Sequence, residues 1–171
     1  GADAYVNRDK LEEDLSATLL RFRMKASAKS KTWKRGRVIG VLGATGGSGA
    51  SAIASNIASC LAKNYDEVGL VDLRLTSSDL TALLNVRPQY TLADFCDRME
   101  RVDPEMFEQF LTRHPSGVHL IAAPLEATHA GKVSPRGVSR ALGMACGRFP
   151  YVVVDMDNHL GEVQMEALWQ L

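Results

Sequence analysis

The sequence predicts an α/β fold, a doubly wound parallel sheet with helices on both faces. Three observations carry that expectation. Short apolar runs alternate with segments of helical periodicity along most of the chain. Apolar residues make up 46% of the chain and aromatics only 6%, a mix that suits a parallel sheet buried by helices on both sides. A glycine-rich segment joins the first such apolar run to the first long helical pattern. Strands joined through helices imply right-handed crossovers, and hence parallel pairing.

At the start of the chain, Ala4-Tyr5-Val6 reads as a short strand. Leu11, Leu15, Leu19 and Phe22 then recur at helical spacing, with Glu12, Glu13 and Asp14 in the first turn, where the helix dipole favours acids. From Arg21 to Arg37 there are eight Lys or Arg residues and no acid. That stretch reads as a solvated basic linker over residues 25–36; contact with nucleic acid or acidic lipid is the weaker reading, because aromatics are not interleaved.

The first buried strand is Val38–Leu42, a continuous apolar run ended by glycines. A helix follows over Ser51–Lys63, with Ile53, Ile57, Cys60 and Leu61 expected on its buried face. Val68–Asp72 is the next strand. A short helix is expected over Ser77–Leu84, capped by Ser77 or Ser78. Further helical turns are expected over Leu92–Arg98, and a helix over Pro104–Leu111 opened by its proline. Val118–Ala123 is a third strand and Tyr151–Asp155 a fourth, separated by a helix from Pro135 to about Cys146. Gly161–Leu171 begins a last helix.

Composition excludes several classes. The 171 residues carry zero net charge, so no global field draws the chain to nucleic acid or an anionic membrane. No apolar run reaches the roughly 20 residues that a spanning helix needs. Cys60, Cys96 and Cys146 lack metal spacing and read as free, buried thiols of a cytoplasmic protein. His114, His119, His129 and His159 share no spacing for a metal or a triad.

The chemistry lies in Gly43-Ala44-Thr45-Gly46-Gly47-Ser48-Gly49-Ala50-Ser51. Glycines let a backbone turn tightly and approach a ligand. Successive N–H groups and a helix N-terminus then offer positive potential to a phosphate. A tight turn with no ligand is the bland alternative. As Gly-x-x-Gly-x-x-Gly, the loop would hold a dinucleotide, with Asp72 on a ribose hydroxyl. As a Walker-type loop, Gly46, Gly47, Ser48, Gly49, Ala50 and Ser51 would wrap a nucleoside triphosphate. Ser51 would then hold Mg²⁺, and Asp155 would be the Walker B acid. Acids at two strand ends favour the second reading, because ligands of such sheets sit at the carboxyl ends.

These segments resemble the MinD/ParA family of P-loop ATPases. Thr45-Gly46-Gly47-Ser48-Gly49-Ala50-Ser51 is similar to that family's deviant Walker A, Lys-Gly-Gly-x-Gly-Lys-Thr/Ser. Val71-Asp72-Leu73-Arg74 resembles its switch strand, and Val153-Val154-Asp155 its Walker B. Within the family the resemblance is to the CpaE/TadZ pilus-assembly branch. It rests on Ser77–Leu80, Tyr90–Asp94, Arg148–Asp155 and above all His114-Pro115-Ser116-Gly117-Val118-His119-Leu120-Ile121-Ala122-Ala123-Pro124. Gly1–Arg8 and the helix after it resemble the last strand and helix of a receiver domain, although Arg8 stands where receivers keep lysine. The implied organisation is the end of a receiver-like domain over 1–24, the linker, and a P-loop NTPase-like domain over 37–171 that lacks its last strands.

The resemblance implies ATP or ADP with Mg²⁺ as ligand, Ser51, Asp72 and Asp155 around the metal, and Asp72 and Asp155 as the acids of any hydrolysis. It also implies a homodimer, and pilus or secretion assembly proteins as partners, at the pole or membrane periphery. The departures limit the chemistry. Ala50 replaces the P-loop lysine, Thr45 the lysine that crosses the dimer in active members, and Arg74 the second switch acid. Losing one charged hydrogen bond of about 1.5–3 kcal/mol weakens triphosphate binding about 10- to 150-fold. Arg74 reads either as a phosphate contact in place of a lost lysine or as a solvated surface residue. The expected function is that of a localisation or assembly factor with degenerate nucleotide binding. A slow ATPase of the partition class and a Rossmann-type dinucleotide-binding protein are the alternatives.

Overall fold

The computed structural model describes residues 35–171. The receiver-like segment and residues 25–34 of the basic linker lie outside the described residues.

The apolar runs form strands where expected. They are β1 (Arg37–Leu42), β2 (Val68–Asp72), β4 (Val118–Ile121) and β5 (Tyr151–Met156), joined by a two-residue β3 (Thr112–Arg113). The sheet order is β1-β5-β2-β4-β3. All pairs are parallel except β3 with β4. The antiparallel β3 is absent from the sequence reading because two residues carry no period.

The helices are α1 (Ala50–Tyr65), α2 (Leu80–Leu83), α3 (Leu92–Arg98), α4 (Pro104–Phe107), α5 (Pro135–Arg148) and α6 (Glu162–Leu168). Their starts follow local chemistry. Pro104 and Pro135 open α4 and α5. The Asp103 carboxylate accepts from the Met106 N–H at 2.7 Å, and the Ser134 hydroxyl from the Gly137 N–H at 3.1 Å. Thr91 donates its N–H and hydroxyl to Asp94 at the start of α3. The helix expected through Leu111 stops at Phe107 and continues as a 3₁₀ turn over Glu108–Phe110.

The sheet is covered on both faces, and period-2 alternation assigns each strand residue to one of them. Leu70, Leu120 and Val153 pack with Ala54, Ala58 and Ala62 of α1. Val71, Ile121, Val152 and Val154 pack with Phe95, Leu142 and Ala145 on the other face.

Two expectations are corrected here. α1 buries Ala50, Ser51, Ala54, Ser55, Ala58 and Ala62, while Ile53 and Cys60 are exposed and Ile57 and Leu61 only half-buried. Small residues let a helix approach the sheet closely, so the small face and not the larger aliphatic one turns inward. Cys60 is therefore a surface thiol, unlike the buried Cys96 and Cys146. Among the described residues, β1 pairs only with β5 and so lies at the sheet edge, and Leu42 is 47% exposed.

At the opposite end of the sheet from the glycine loop, a charge cluster surrounds His119 of β4. Its Nε2 lies 3.2 Å from Glu67 Oε1, and Arg148 donates to both Glu67 and Glu108. Burial holds the His119 pKa below its usual 6.5; Glu67 and Glu108 oppose this, while Arg148 and Arg113 add to it. A neutral ring is thus favoured in the folded state. The resulting stability is full above the unfolded pKa of about 6.5 and is lost as pH falls below it. Glu67 is shifted down, chiefly by its bond to Arg148, so its own contribution is lost only at lower pH, from about 4.5 downwards. We expect chemical denaturation between pH 7 and 5 to show a smaller stability loss in His119→Gln than in the unsubstituted chain. Equal slopes would mean that His119 keeps an ordinary pKa.

Candidate functional site: a glycine loop at the carboxyl edge of the sheet

Parallel pairing brings three strand ends to one edge. Asp72 of β2 and Asp155 of β5 are directly paired in register, and Val41 of β1 pairs Asp155 on its other side. The loop from Gly43 to Gly49 leaves this same edge and enters α1. The sheet order therefore assembles residues that lie more than a hundred positions apart.

The loop needs its glycines for different reasons. A Cβ on Gly43 would overlap Ser48 Oγ, which folds back beneath the loop. Gly47 and Gly49 have φ of 78° and 80°, in the left-handed region that side chains disfavour. A Cβ on Gly46, Gly47 or Gly49 would meet nothing within 4 Å, so the loop faces open space. Helix α1 has Gly49 as its N-cap, without a side-chain cap bond and without an acid in its first turn. Its first N–H groups and the positive end of its dipole are left to an external acceptor.

That space is a pocket of about 490 Å³. Gly47, Gly49, Ala50 and Ser51 line it together with Arg74, Asp79 and Leu83. Gly46 and Ser48, expected in the cradle, are not among its lining residues. Neither are Asp72 and Asp155, which are fully buried.

The two aspartates differ in their surroundings. Asp72 Oδ1 accepts the Arg74 N–H at 3.1 Å, and Oδ2 accepts the Ser78 hydroxyl. Burial nevertheless pushes its pKa up to about 7; the Ser78 and Arg74 bonds oppose this and the Asp155 charge adds to it. Both oxygens of Asp155 are buried with no partner in hydrogen-bond geometry. Burial raises its pKa as well, although the nearby Ser51 hydroxyl and Arg74 guanidinium favour its charged form.

Arg74 is the residue whose place the sequence left open. Its Nη1 donates to Ser51 Oγ at 3.2 Å and its Nη2 to Ser77 Oγ at 3.3 Å. The sequence offers Ser77 or Ser78 as the cap of the short helix that follows. The structure puts Asp79 at that cap position and uses the two serines to hold Arg74 and Asp72 instead. A run of two serines just after a strand-end acid was the available signal, and helix-capping statistics pointed elsewhere.

This arrangement does not present a ready Mg²⁺ site. The Ser51 hydroxyl already meets a guanidinium, and both Asp72 oxygens are engaged. Among the described residues, no three His, Cys, Asp or Glu side chains are grouped to hold a metal ion. The Asp155 oxygens have no partner in hydrogen-bond geometry, but they are buried and lie near the Ser51 hydroxyl.

A ParA family ATPase from Chlorobium tepidum TLS superimposes with a TM-score of 0.73 at 27% identity, over 80% of this chain and 57% of that one. The chain has the ParA/MinD P-loop fold. The cell-division ATPase MinD of Pyrococcus furiosus matches with a TM-score of 0.65 at 21% identity, over 79% of this chain and 56% of its own. The septum site-determining protein MinD of Pyrococcus horikoshii OT3, complexed with Mg-ADP, gives 0.65 at 22%, over 78% and 54%. The chain thus spans little more than half the length of these ParA/MinD structures. No protein-family model and no curated protein matches the sequence. Among the described residues, no helix is long and apolar enough to cross a membrane.

Proposed function

We propose that the chain is a degenerate nucleotide-binding protein of the ParA/MinD type. It serves as a localisation or assembly factor for type IV/Flp (tight adherence) pilus or secretion machinery. It works as a homodimer in the cytoplasm and reaches the pole or membrane periphery through its partners. One observation carries the nucleotide part: an open glycine cradle on a bare helix N-terminus, in a pocket where position 50 offers no ammonium. The pilus part rests on the His114–Pro124 and Arg148–Asp155 resemblance.

The dinucleotide reading has less support. Asp72, its ribose ligand, is fully buried and committed to Ser78 and the Arg74 N–H.

Calorimetry with ATP and NAD(P), together with a phosphate-release assay, tests the proposal. ATP should bind weakly, NAD(P) no better, and turnover should stay near background. A turnover of about 1 s⁻¹ or more, an ordinary enzyme rate, would overturn the degenerate-loop reading. Tight NAD(P) binding without ATP binding would overturn the ParA/MinD-type assignment. For the biological role, a chromosomal deletion that leaves pilus assembly and secretion intact would exclude it.

A further inference from the structure

The sheet edge holds a cation where the Walker-type reading puts a metal. Ser51, the residue expected to hold Mg²⁺, instead accepts from Arg74 Nη1. The same guanidinium is anchored by Ser77 on its other arm, and its charge favours the ionised forms of both Asp72 and Asp155. Its Nε is buried without a partner, so the head is not simply a solvated surface group. It also lines the pocket along with Gly47, Gly49 and Ala50. A divalent ion at Ser51 would have to displace this bond and sit beside a fixed positive charge. Arginine keeps its charge at any working pH and presents a planar fork suited to phosphate oxygens.

We propose that Arg74 is the resident cation of this site and that it takes the place of the divalent metal. A nucleoside polyphosphate then binds to the glycine loop and the Arg74 guanidinium without Mg²⁺. The inference rests on the reading of the loop as a phosphate cradle, and extends it to the form of ligand bound: the metal-free polyphosphate.

Two measurements on the whole chain test this. In the first, Mn²⁺ is titrated against the protein without nucleotide and followed by electron paramagnetic resonance. The unsubstituted chain and Arg74→Lys should bind no Mn²⁺ at the site, whereas Arg74→Asp, which adds an acid beside Asp72 and Asp155, should gain a site. In the second, ATP is titrated calorimetrically in EDTA and in excess Mg²⁺. The unsubstituted chain should show the same affinity in both, within about threefold. Arg74→Asp should lose about 10- to 150-fold in EDTA, the cost of a charged hydrogen bond, and recover part of it with Mg²⁺. Arg74→Lys should stay metal-independent, which separates loss of the cation from loss of the fold.

A tenfold or greater preference of the unsubstituted chain for Mg²⁺-ATP, or Mn²⁺ binding by that chain alone, would overturn the metal replacement while leaving the phosphate cradle standing. No ATP binding in either condition would overturn the cradle, and the inference with it.

Discussion

Ala50→Lys should raise the affinity for ATP about 10- to 150-fold, the inverse of the loss expected from the missing charged hydrogen bond. Ala50 is the first residue of α1 and lies in the pocket wall beside the open glycine cradle. A lysine stem there can follow the wall and bring its ammonium to a phosphate bound at the helix N-terminus. The gain should fall toward the lower end of the range, because the Arg74 guanidinium already faces the same pocket and repels a second cation. Hydrolysis should remain near background, since Thr45, which stands where the resemblance implies a second lysine, adds no ammonium to stabilise charge developing in phosphoryl transfer. Calorimetry on the variant decides the matter. An unchanged or weaker affinity in a folded variant would mean that the loop does not present phosphates to position 50.

Phe149→Ala should cost about 3–5 kcal/mol, a large share of the roughly 5–15 kcal/mol by which a domain is stable. Phe149 is fully buried between α5 and β5. Its ring centroid lies 5.1 Å from that of His119, and the Arg148 guanidinium sits 4.8 Å from it. The ring also covers Gly69 in β2: a Cβ there would come within 2.9 Å of Phe149 Cδ2. Gly69→Ala alone should therefore destabilise by about 1–3 kcal/mol through overpacking. In the Phe149→Ala background the same methyl enters vacated space, and its cost should largely vanish. Urea denaturation of the four chains reads the coupling, expected at about 0.5–3 kcal/mol. Additivity would show that Gly69 and Phe149 do not share this contact.

Phe149 also shows how a motif reading and a packing reading meet. The segment Arg148–Asp155 carried a family resemblance in the sequence. In the structure its members hold different jobs. Arg148 ties Glu67 to Glu108, Phe149 fills the space over Gly69, and Asp155 pairs with Asp72 near the carboxyl end of β5.

What the sequence by itself determined was local. Apolar runs of Val, Leu and Ile named four strands, because a buried strand needs no polar face. Pro104 and Pro135 marked helix starts, because a missing N–H costs nothing at a first turn. The glycines of the Gly43–Gly49 loop marked a strand-to-helix turn that a phosphate can approach, because φ near +80° at Gly47 and Gly49 excludes most side chains.

Only the tertiary structure decided the rest. Hydrophobic periodicity counted Ile53 and Cys60 toward the buried face of α1, but the sheet selects whichever face lets backbones come closest, and the alanines do that better. The placement of β5 between β1 and β2 is a strand order that no single strand encodes. The Arg74–Ser51 bond joins residues 23 positions apart on different elements. It forms because parallel strands bring the end of β2 and the start of α1 to the same edge of the sheet. A side chain's charge is written in the sequence; the neighbour that charge meets is set by how strands are ordered and helices laid upon them.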